Sequence, residues 1–248
     1  TDPPEKIAPH IHYYKVAKHT GEQVAEVPHT QPYPLHLWGD LDPATSFQFS
    51  VAACNQYSGE CSPPSEIIPG TTYDGLSEAP SEVTINCRSD NISMVHWVDV
   101  KWQEPGETNG NIEFYNVELS GSARYNDDRR KINTINVDSK LQTADADQRL
   151  TRFDFLEANT NYSVQVCAVT RSEECGNWRA ASCIMAPTPP TGIKDLFSWH
   201  SVKKHLQGES RNIFKLMVPH LSERNGVICC IKVIVVRLAS GQEAKDLP

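Results

Sequence analysis

One strand-like pattern occurs three times along this chain, and its spacing constrains the fold more than any other feature. Its copies begin at Ile11, Ile112 and Ile228, and an Asn-Gly pair stands shortly before the second and third copies. The copies are roughly 100 to 120 residues apart, which is close to the length of one small β-sandwich and far too long for a solenoid repeat. We therefore predict an all-β chain built as an array of similar modules.

A second landmark follows the pattern in the first two modules. Residues 41–55 and 156–170 each contain a tight corner and a strand whose alternate residues are apolar, as in a half-buried strand. In the second module the repeated strand is preceded by residues 98–105, which read Val-x-Val-x-Trp-x-x-Pro. Together these residues resemble the fibronectin type III module, in which Tyr162 would be the corner tyrosine and Phe47 its replacement. The resemblance implies tandem fibronectin type III (immunoglobulin-like) β-sandwiches.

The type III resemblance divides the chain into three parts. We expect residues 1–73 to be the C-terminal part of one module, strands C to G, and residues 78–187 to be a complete module. Residues 191–248 would begin a membrane-proximal, type III-like β domain, with residues 214–218 as its strand B and residues 228–233 as its strand C. Because the first part lacks strands A and B, we expect the chain to be a piece of a longer protein.

The two linkers between these parts differ in composition. Residues 187–190 contain three prolines, which predicts a stiff second linker. Residues 74–77, Asp-Gly-Leu-Ser, predict a first linker that bends more easily.

Composition and charge fit an extracellular chain of short strands. Hydrophobic residues make up 39% of the sequence, and 17 Pro and 13 Gly suit strands joined by turns. The net charge of −8 argues against nucleic acid or an anionic membrane as the main partner. Residues 129–131 are basic, but the adjacent Asp127 and Asp128 favour a solvated loop over a heparan-sulfate site. No secretory signal is present, and the apolar run 227–236 is too short to span a bilayer.

Eight cysteines without a CxxC pair indicate an oxidising compartment rather than a zinc site. Their placement on the type III module implies that two disulfides close the turn between strands F and G of successive modules. A third would join strands A and G at one pole of the middle module. The implied pairs are Cys54 with Cys61, Cys167 with Cys175, and Cys87 with Cys183. The alternative pair, Cys175 with Cys183, would bend one short strand back, because eight extended residues span over about 20 Å and disulfide Cα atoms lie within about 7 Å.

Cys229 and Cys230 are adjacent in a predicted strand, where neighbouring side chains point to opposite faces. One interpretation is a vicinal disulfide, and a second is that one of the two is a buried free thiol. A third interpretation, which we favour, is that both are unpaired within this chain and have partners beyond Pro248.

Two sequons predict N-glycosylation, at Asn91 and at Asn161. Because the corner residue Tyr162 should face the core, its neighbour Asn161 should point outward. Together with the six cysteines assigned to disulfides, the sequons indicate a secreted or cell-surface protein.

The sequence contains no motif for catalysis or for a cofactor. The P-loop, the HExxH motif, the Gly-x-Ser-x-Gly elbow and the Gly-x-Gly-x-x-Gly fingerprint are all absent. His10 and His12 would share one face of a strand, but no motif supplies a third ligand, so we predict no metal site. We therefore predict that this chain has no catalytic residues and needs no cofactor.

Residues 214–231 resemble the membrane-proximal stretch of receptor-type protein tyrosine phosphatases, in which an apolar strand and a Pro precede an Asn-Gly-Pro-Ile-x-Cys strand. The run Ser-Glu-Arg-Asn-Gly at 222–226 and the double cysteine are most similar to insect members with two immunoglobulin domains and type III repeats that act in neuronal axon guidance. Val227 stands where the family has Pro. The resemblance implies a parent chain anchored in the plasma membrane by one span. Its cytoplasmic domains would hydrolyse phosphotyrosine through a His-Cys-x5-Arg loop, which this sequence lacks.

In such a receptor the present chain would be part of the extracellular region and would bind a cell-surface or extracellular protein ligand or act as a spacer. The long stretch 120–148 of the middle module holds the candidate binding loop, with Tyr125, Arg129 and Arg130. We favour a solvated hairpin at the sheet edge for this stretch.

Two other classes of protein stay open at this point. A cell-adhesion receptor without an enzyme domain would look the same over the first two modules. A cytokine-type receptor also pairs type III modules, but only Trp178 and Ser182 match its Trp-Ser-x-Trp-Ser strand.

Overall fold

All regular elements in the described part of the chain are β-strands. The computed structural model describes residues 11–29, 34–55, 58–90, 92–190, 198–206, 209–217, 220–233 and 237. Within these residues, thirteen strands form four sheets in which every pairing is antiparallel. No helix in the described residues is long and apolar enough to cross a membrane.

The first region contains one four-stranded sheet. Its strands are β1 (Tyr13–Lys18), β2 (Gln23–Pro28), β3 (Ser46–Cys54) and β4 (Ile68–Thr71). They lie in the order β2-β1-β3-β4, so the first copy of the repeated pattern pairs with the strand that follows the corner. Val16 lies opposite Val51 in that pairing. Strands β1 and β3 lie where the sequence predicts the repeated pattern and the strand after the corner, and residues 34–45, which precede β3, contain no strand.

The middle region is a two-sheet sandwich. One sheet has the order β5-β6-β9, and the other has the order β11-β10-β7-β8. The strands are β5 (Pro80–Asp90), β6 (Val95–Pro105), β7 (Ile112–Asn126), β8 (Ile132–Asp145), β9 (Leu150–Phe153), β10 (Asn161–Thr170) and β11 (Arg179–Ile184). Strand β7 contains the second copy of the pattern and pairs with β10, as β1 pairs with β3.

The core of the sandwich lies between alternate residues of the two sheets. Because side chains alternate between faces along a strand, positions two apart on β6 point inward together. These meet the inward positions of β7 and β10, and all nine side chains are buried: Val98, Val100, Trp102, Tyr115, Val117, Leu119, Tyr162, Val164 and Val166. Each such aliphatic side chain contributes on the order of 2 kcal/mol through burial.

A tyrosine corner closes one end of this core. The hydroxyl of Tyr162 accepts a hydrogen bond from the backbone N–H of Glu157 at 2.8 Å and lies 3.4 Å from the carbonyl oxygen of the same residue. Burial raises the pKa of Tyr162, so its hydroxyl keeps its proton above the ordinary tyrosine range. Phe47 occupies the matching place in the first region and is buried without a hydroxyl.

The third copy of the pattern does not form a strand, which contradicts the prediction for residues 228–233. Beyond the sandwich, β12 (Ser198–Leu206) and β13 (Glu209–Met217) pair with each other, and residues 220–233 contain no strand. The first two copies each bond to a strand that follows a corner, as β7 bonds to β10. Among the described residues after 190, no strand pairs with residues 228–233 in this way.

Candidate functional site

The stretch predicted as a long connection in the middle module is a hairpin. Strands β7 and β8 pair from Phe114 opposite Asp145 to Asn126 opposite Ile132, with an irregularity between Leu119 and Gly121. The favoured interpretation of residues 120–148, a hairpin at the sheet edge, therefore describes the backbone correctly. The pairing of β7 with β10 ends at Ser122, so the tip of the hairpin extends past β10.

Asp127 organises the turn at the tip of the hairpin. Its carboxylate accepts hydrogen bonds from the backbone N–H groups of Lys131 at 2.8 Å and Arg129 at 2.9 Å, and from the Asn133 amide at 3.0 Å. These donors, first of all the Lys131 N–H, lower the pKa of Asp127 because they stabilise the charged form. Arg130 has a φ of 61°, so one non-glycine residue of the turn is left-handed.

The three candidate binding residues do not share one environment. The Tyr125 ring lies 5.9 Å from the guanidinium of Arg224, and the Arg130 Nε donates a hydrogen bond to the Nε2 of His220. Arg129 is exposed at the tip. Two of the three side chains thus contact a later part of the same chain.

Arg224 makes the most extensive of these contacts. Its guanidinium donates hydrogen bonds to the Ala158 carbonyl at 2.7 Å and to the Thr160 hydroxyl at 3.0 Å, and it lies 3.7 Å from the Glu157 carboxylate. The side chain is only 18% exposed. A guanidinium carries five donors in a fixed planar fork, whereas a lysine ammonium carries three donors on one nitrogen, so arginine can reach acceptors that lie farther apart. Arg224 therefore binds the corner that also contains Tyr162.

Glu223 adds backbone and side-chain contacts to the same area. Its N–H donates to the Asn126 carbonyl at 2.9 Å, and its carboxylate accepts from the Asn126 amide at 2.8 Å. The Asn159 amide donates to the carbonyls of Glu223 and Arg224 at 3.3 and 3.2 Å. A shallow groove of about 370 Å³ runs beside these residues. We call this set of contacts between residues 220–224 and the middle region the hairpin junction.

The sequence patterns do not predict the hairpin junction. The run at 222–226 carries a family resemblance, which says nothing of the contacts that these residues make. Its partners, Asn126 and residues 157–160, lie about 60 to 100 positions earlier in the chain, and no periodic pattern links them. The one sequence feature that could have indicated a contact surface is the polar run at 222–226, which follows an apolar run ending in Pro219.

Comparisons with known proteins identify the module type. Residues 78–179 match the family model described as the fibronectin type III domain. Tyrosine-protein phosphatase 69D of Drosophila melanogaster is 30% identical over 252 residues, which cover 99% of this chain and 16% of that protein. The chain is thus similar to this phosphatase along nearly its whole length, and residues 78–179 match a fibronectin type III domain. The expectation of all-β fibronectin type III sandwiches is therefore confirmed.

Two solved structures resemble this fibronectin type III region more distantly. The chicken CNTN1 FN1–FN3 domains are 21% identical with a TM-score of 0.32, over 70% of this chain and 56% of that structure. A two-domain fibronectin type III segment from chicken tenascin is 17% identical with a TM-score of 0.35, over 74% of this chain and 87% of that structure.

Three disulfides reinforce the fibronectin type III region. Two of them close turns that follow strands β3 and β10, and the third joins β5 in one sheet of the sandwich to β11 in the other. The joined pairs are Cys54 with Cys61, Cys167 with Cys175, and Cys87 with Cys183. They are the pairs that the type III resemblance implies.

Cys229 and Cys230 are exposed thiols next to the hairpin junction, and their sulfur atoms lie 3.5 Å apart. A hydrogen bond and electrostatic repulsion from Cys229 raise the pKa of the Cys230 thiol. Neither sulfur is bonded to another cysteine of the described residues. That both cysteines have partners beyond Pro248 stays a prediction.

Of the remaining predicted sites, the structure describes Asn161 and places it at the surface. Asn161 begins β10 and is exposed, so a glycan there would meet no part of the core. Asn91 and His10 lie outside the described residues. In the described part of the chain, no group of three His, Cys, Asp or Glu side chains is arranged to hold a metal ion.

Proposed function

We propose that this chain is part of the extracellular, non-catalytic region of a single-pass receptor protein tyrosine phosphatase. The observation that carries the proposal is its 30% identity to Tyrosine-protein phosphatase 69D over 99% of the chain. The similarity extends beyond residues 78–179, which alone match the domain model, so a shared module type does not account for it. The enzyme domains of the parent receptor lie on the cytoplasmic side of the plasma membrane.

The role of this region is to act as a spacer that holds a distal ligand-binding tip at a fixed distance from the membrane. The hairpin junction supports this role, because Arg224 and Glu223 bond the residues after the sandwich to its hairpin and corner. Hydrogen bonds to a charged group are worth about 1.5 to 3 kcal/mol, so several together oppose bending at this point.

A cell-surface or extracellular protein in neuronal axon guidance is the proposed partner, and the hairpin tip is the proposed contact. Arg129 is exposed there, whereas Tyr125 and Arg130 are engaged by Arg224 and His220. We expect Arg129→Glu to weaken staining of neurons by a multimeric form of the chain. Arg171→Glu is the matched control, because Arg171 is exposed after β10 at the opposite end of the sheet. Equal staining by both variants and the parent would reject the tip as a contact surface.

The complete coding sequence of the parent protein decides between receptor classes. A receptor phosphatase requires one apolar span of about 20 residues after this region, followed by a domain with a His-Cys-x5-Arg loop. A span without that domain would instead support a cell-adhesion receptor.

Two measurements on the purified chain test the extracellular, non-catalytic part of the proposal. Secretion from eukaryotic cells should give a product that loses mass on enzymatic removal of N-glycans, and Asn91→Gln and Asn161→Gln should each remove one glycan. The chain should not hydrolyse p-nitrophenyl phosphate. Measurable turnover, or a product without glycans, would contradict the corresponding part.

A further inference from the structure

The first Asn-Gly pair bonds to the linker that precedes its own module. The Gly75 N–H donates to the Asn109 carbonyl at 2.7 Å, and the Asn109 side-chain amide donates to the Leu76 carbonyl at 2.7 Å. Asp74, one residue earlier, accepts the N–H of Asn111 at 3.0 Å. The linker is therefore bonded on both sides of Gly75 to the turn between β6 and β7.

The second Asn-Gly pair makes the same two bonds to the second linker. The Thr188 N–H donates to the Asn225 carbonyl at 2.8 Å, and the Asn225 side-chain amide donates to the Pro189 carbonyl at 3.3 Å. Thr188 and Pro189 thus correspond to Gly75 and Leu76. The correspondence holds although residues 228–233 form no strand, so it does not depend on the strand that the pattern predicted.

The glycine of each pair allows the linker to approach. Gly110 has a φ of 157° and Gly226 has a φ of 143°, which residues with a side chain rarely adopt. A Cβ atom on Gly110 would lie 2.4 Å from Asp74, and one on Gly226 would lie 2.5 Å from Pro187. Asp74 and Pro187 each stand one residue before the linker residue whose N–H is bound. Any side chain at either glycine would push its linker away.

We propose that Asn109-Gly110 and Asn225-Gly226 are equivalent linker latches, which fix each linker to the residues that follow it. The asparagine accepts a hydrogen bond from one linker residue and donates one to the next. The glycine has no side chain that would hold the linker away from the asparagine. This makes the first linker, which its composition predicts to be bendable, a fixed connection. The Thr170 hydroxyl and the Asn177 N–H add bonds to the Gly75 and Ser77 carbonyls. Each linker is consequently held in a set position on the residues that follow it.

Hydrogen exchange at single amides of the 248-residue chain tests each latch separately. In the parent chain, the amides of Gly75 and Thr188 should be protected. Gly110→Ala should accelerate exchange at Gly75 by roughly tenfold, the factor expected when one hydrogen bond is lost, and leave Thr188 unchanged. Gly226→Ala should do the reverse. Gly106→Ala is the matched control, because a Cβ there meets nothing within 4 Å, and it should change neither amide.

A second pair of variants separates the latch from a general loss of folding. Asn109→Gly keeps the backbone acceptor and tolerates the φ of 54° at this position, but removes the side-chain donor. Asn225→Ala removes the donor at the second junction. Both should accelerate exchange at their own linker amide while the core amide of Val164 keeps its parental rate. Parental exchange at Gly75 and Thr188 in all four variants, or equal acceleration in Gly106→Ala, would overturn the proposal.

Discussion

The first region and the middle sandwich contain the same strand pattern, yet they bury it to different degrees. Val117 on β7 is fully buried, whereas Val16, its counterpart on β1, is half-buried. The difference follows from the second sheet: β6 and β9 cover one face of the middle sheet, and no described strand covers the first sheet in this way. In these two regions the same strand pattern occurs with the same pairing within a sheet, while burial depends on what packs on the face of that sheet.

The segment before each corner shows the same contrast. Residues 150–153 form β9 by pairing with β6, and Phe153 is 1% exposed. Residues 35–38 hold the matching place before the first corner and form no strand, with Leu35 73% exposed. Because a short strand at a sheet edge depends on its neighbour for backbone hydrogen bonds, loss of the neighbour leaves such a segment irregular.

The largest expected difference between the two regions comes from their disulfides. Replacing Cys87 and Cys183 by serine should destabilise the middle sandwich by about 4 to 5 kcal/mol, because this bond closes a loop of 96 residues and joins its two sheets. Replacing Cys54 and Cys61 should cost about 2.5 kcal/mol, since that loop spans seven residues. Urea unfolding followed by NMR signals of each region measures both changes. Equal losses of stability in the two variants would show that the length of the closed loop does not determine how much each disulfide stabilises its region.

A matched pair of core substitutions tests the difference in packing directly. Val117→Ala should destabilise the middle sandwich by about 2 kcal/mol, from lost burial and an unfilled cavity. Val16→Ala should cost about 1 kcal/mol or less, because Val16 is only half-buried. The same urea experiment compares the two variants with the parent. If Val16→Ala lowered the free energy of unfolding as much as Val117→Ala, the two sheets would be equally covered.

Pairing and corners could be predicted from the sequence because their signals are local. Alternation around Val164 and the spacing to Tyr162 depend on residues a few positions apart, and they agree with β10 and its corner. The strand predicted for residues 228–233 was wrong: the same alternation occurs there, but these residues pair with no strand of the described part of the chain. Arg224 contacts Ala158, 66 positions away, and Asn109 contacts Leu76, 33 positions away, and neither separation has a periodic signature.

The corner offers a smaller, reciprocal test. Tyr162→Phe should destabilise the middle sandwich by about 1 kcal/mol, because the Glu157 N–H loses its acceptor while the ring stays buried. Phe47→Tyr in the first region should cost nothing and should gain up to about 1 kcal/mol if its hydroxyl reaches the backbone five residues earlier. Thermal unfolding of the two variants and the parent checks both values. A stability of Tyr162→Phe equal to the parent would show that the hydroxyl does not support the corner.

The smallest expected effect is a loss of stability at alkaline pH. It distinguishes the middle sandwich, which has buried tyrosine hydroxyls, from the first region, which has Phe47 at its corner. Burial raises the pKa values of Tyr115 and Tyr162 in the folded sandwich, whereas unfolded tyrosines titrate near pH about 10. The unfolded chain therefore loses these protons first, so the free energy of unfolding should be constant below that range and should fall as pH rises through it. The double variant Tyr115→Phe and Tyr162→Phe should remove most of this slope for the middle sandwich, and Phe47 already makes no such contribution at the first corner. Urea unfolding at pH 8 and at pH about 10.5 measures the slope, and an equal slope in the parent and the double variant would contradict burial as its cause.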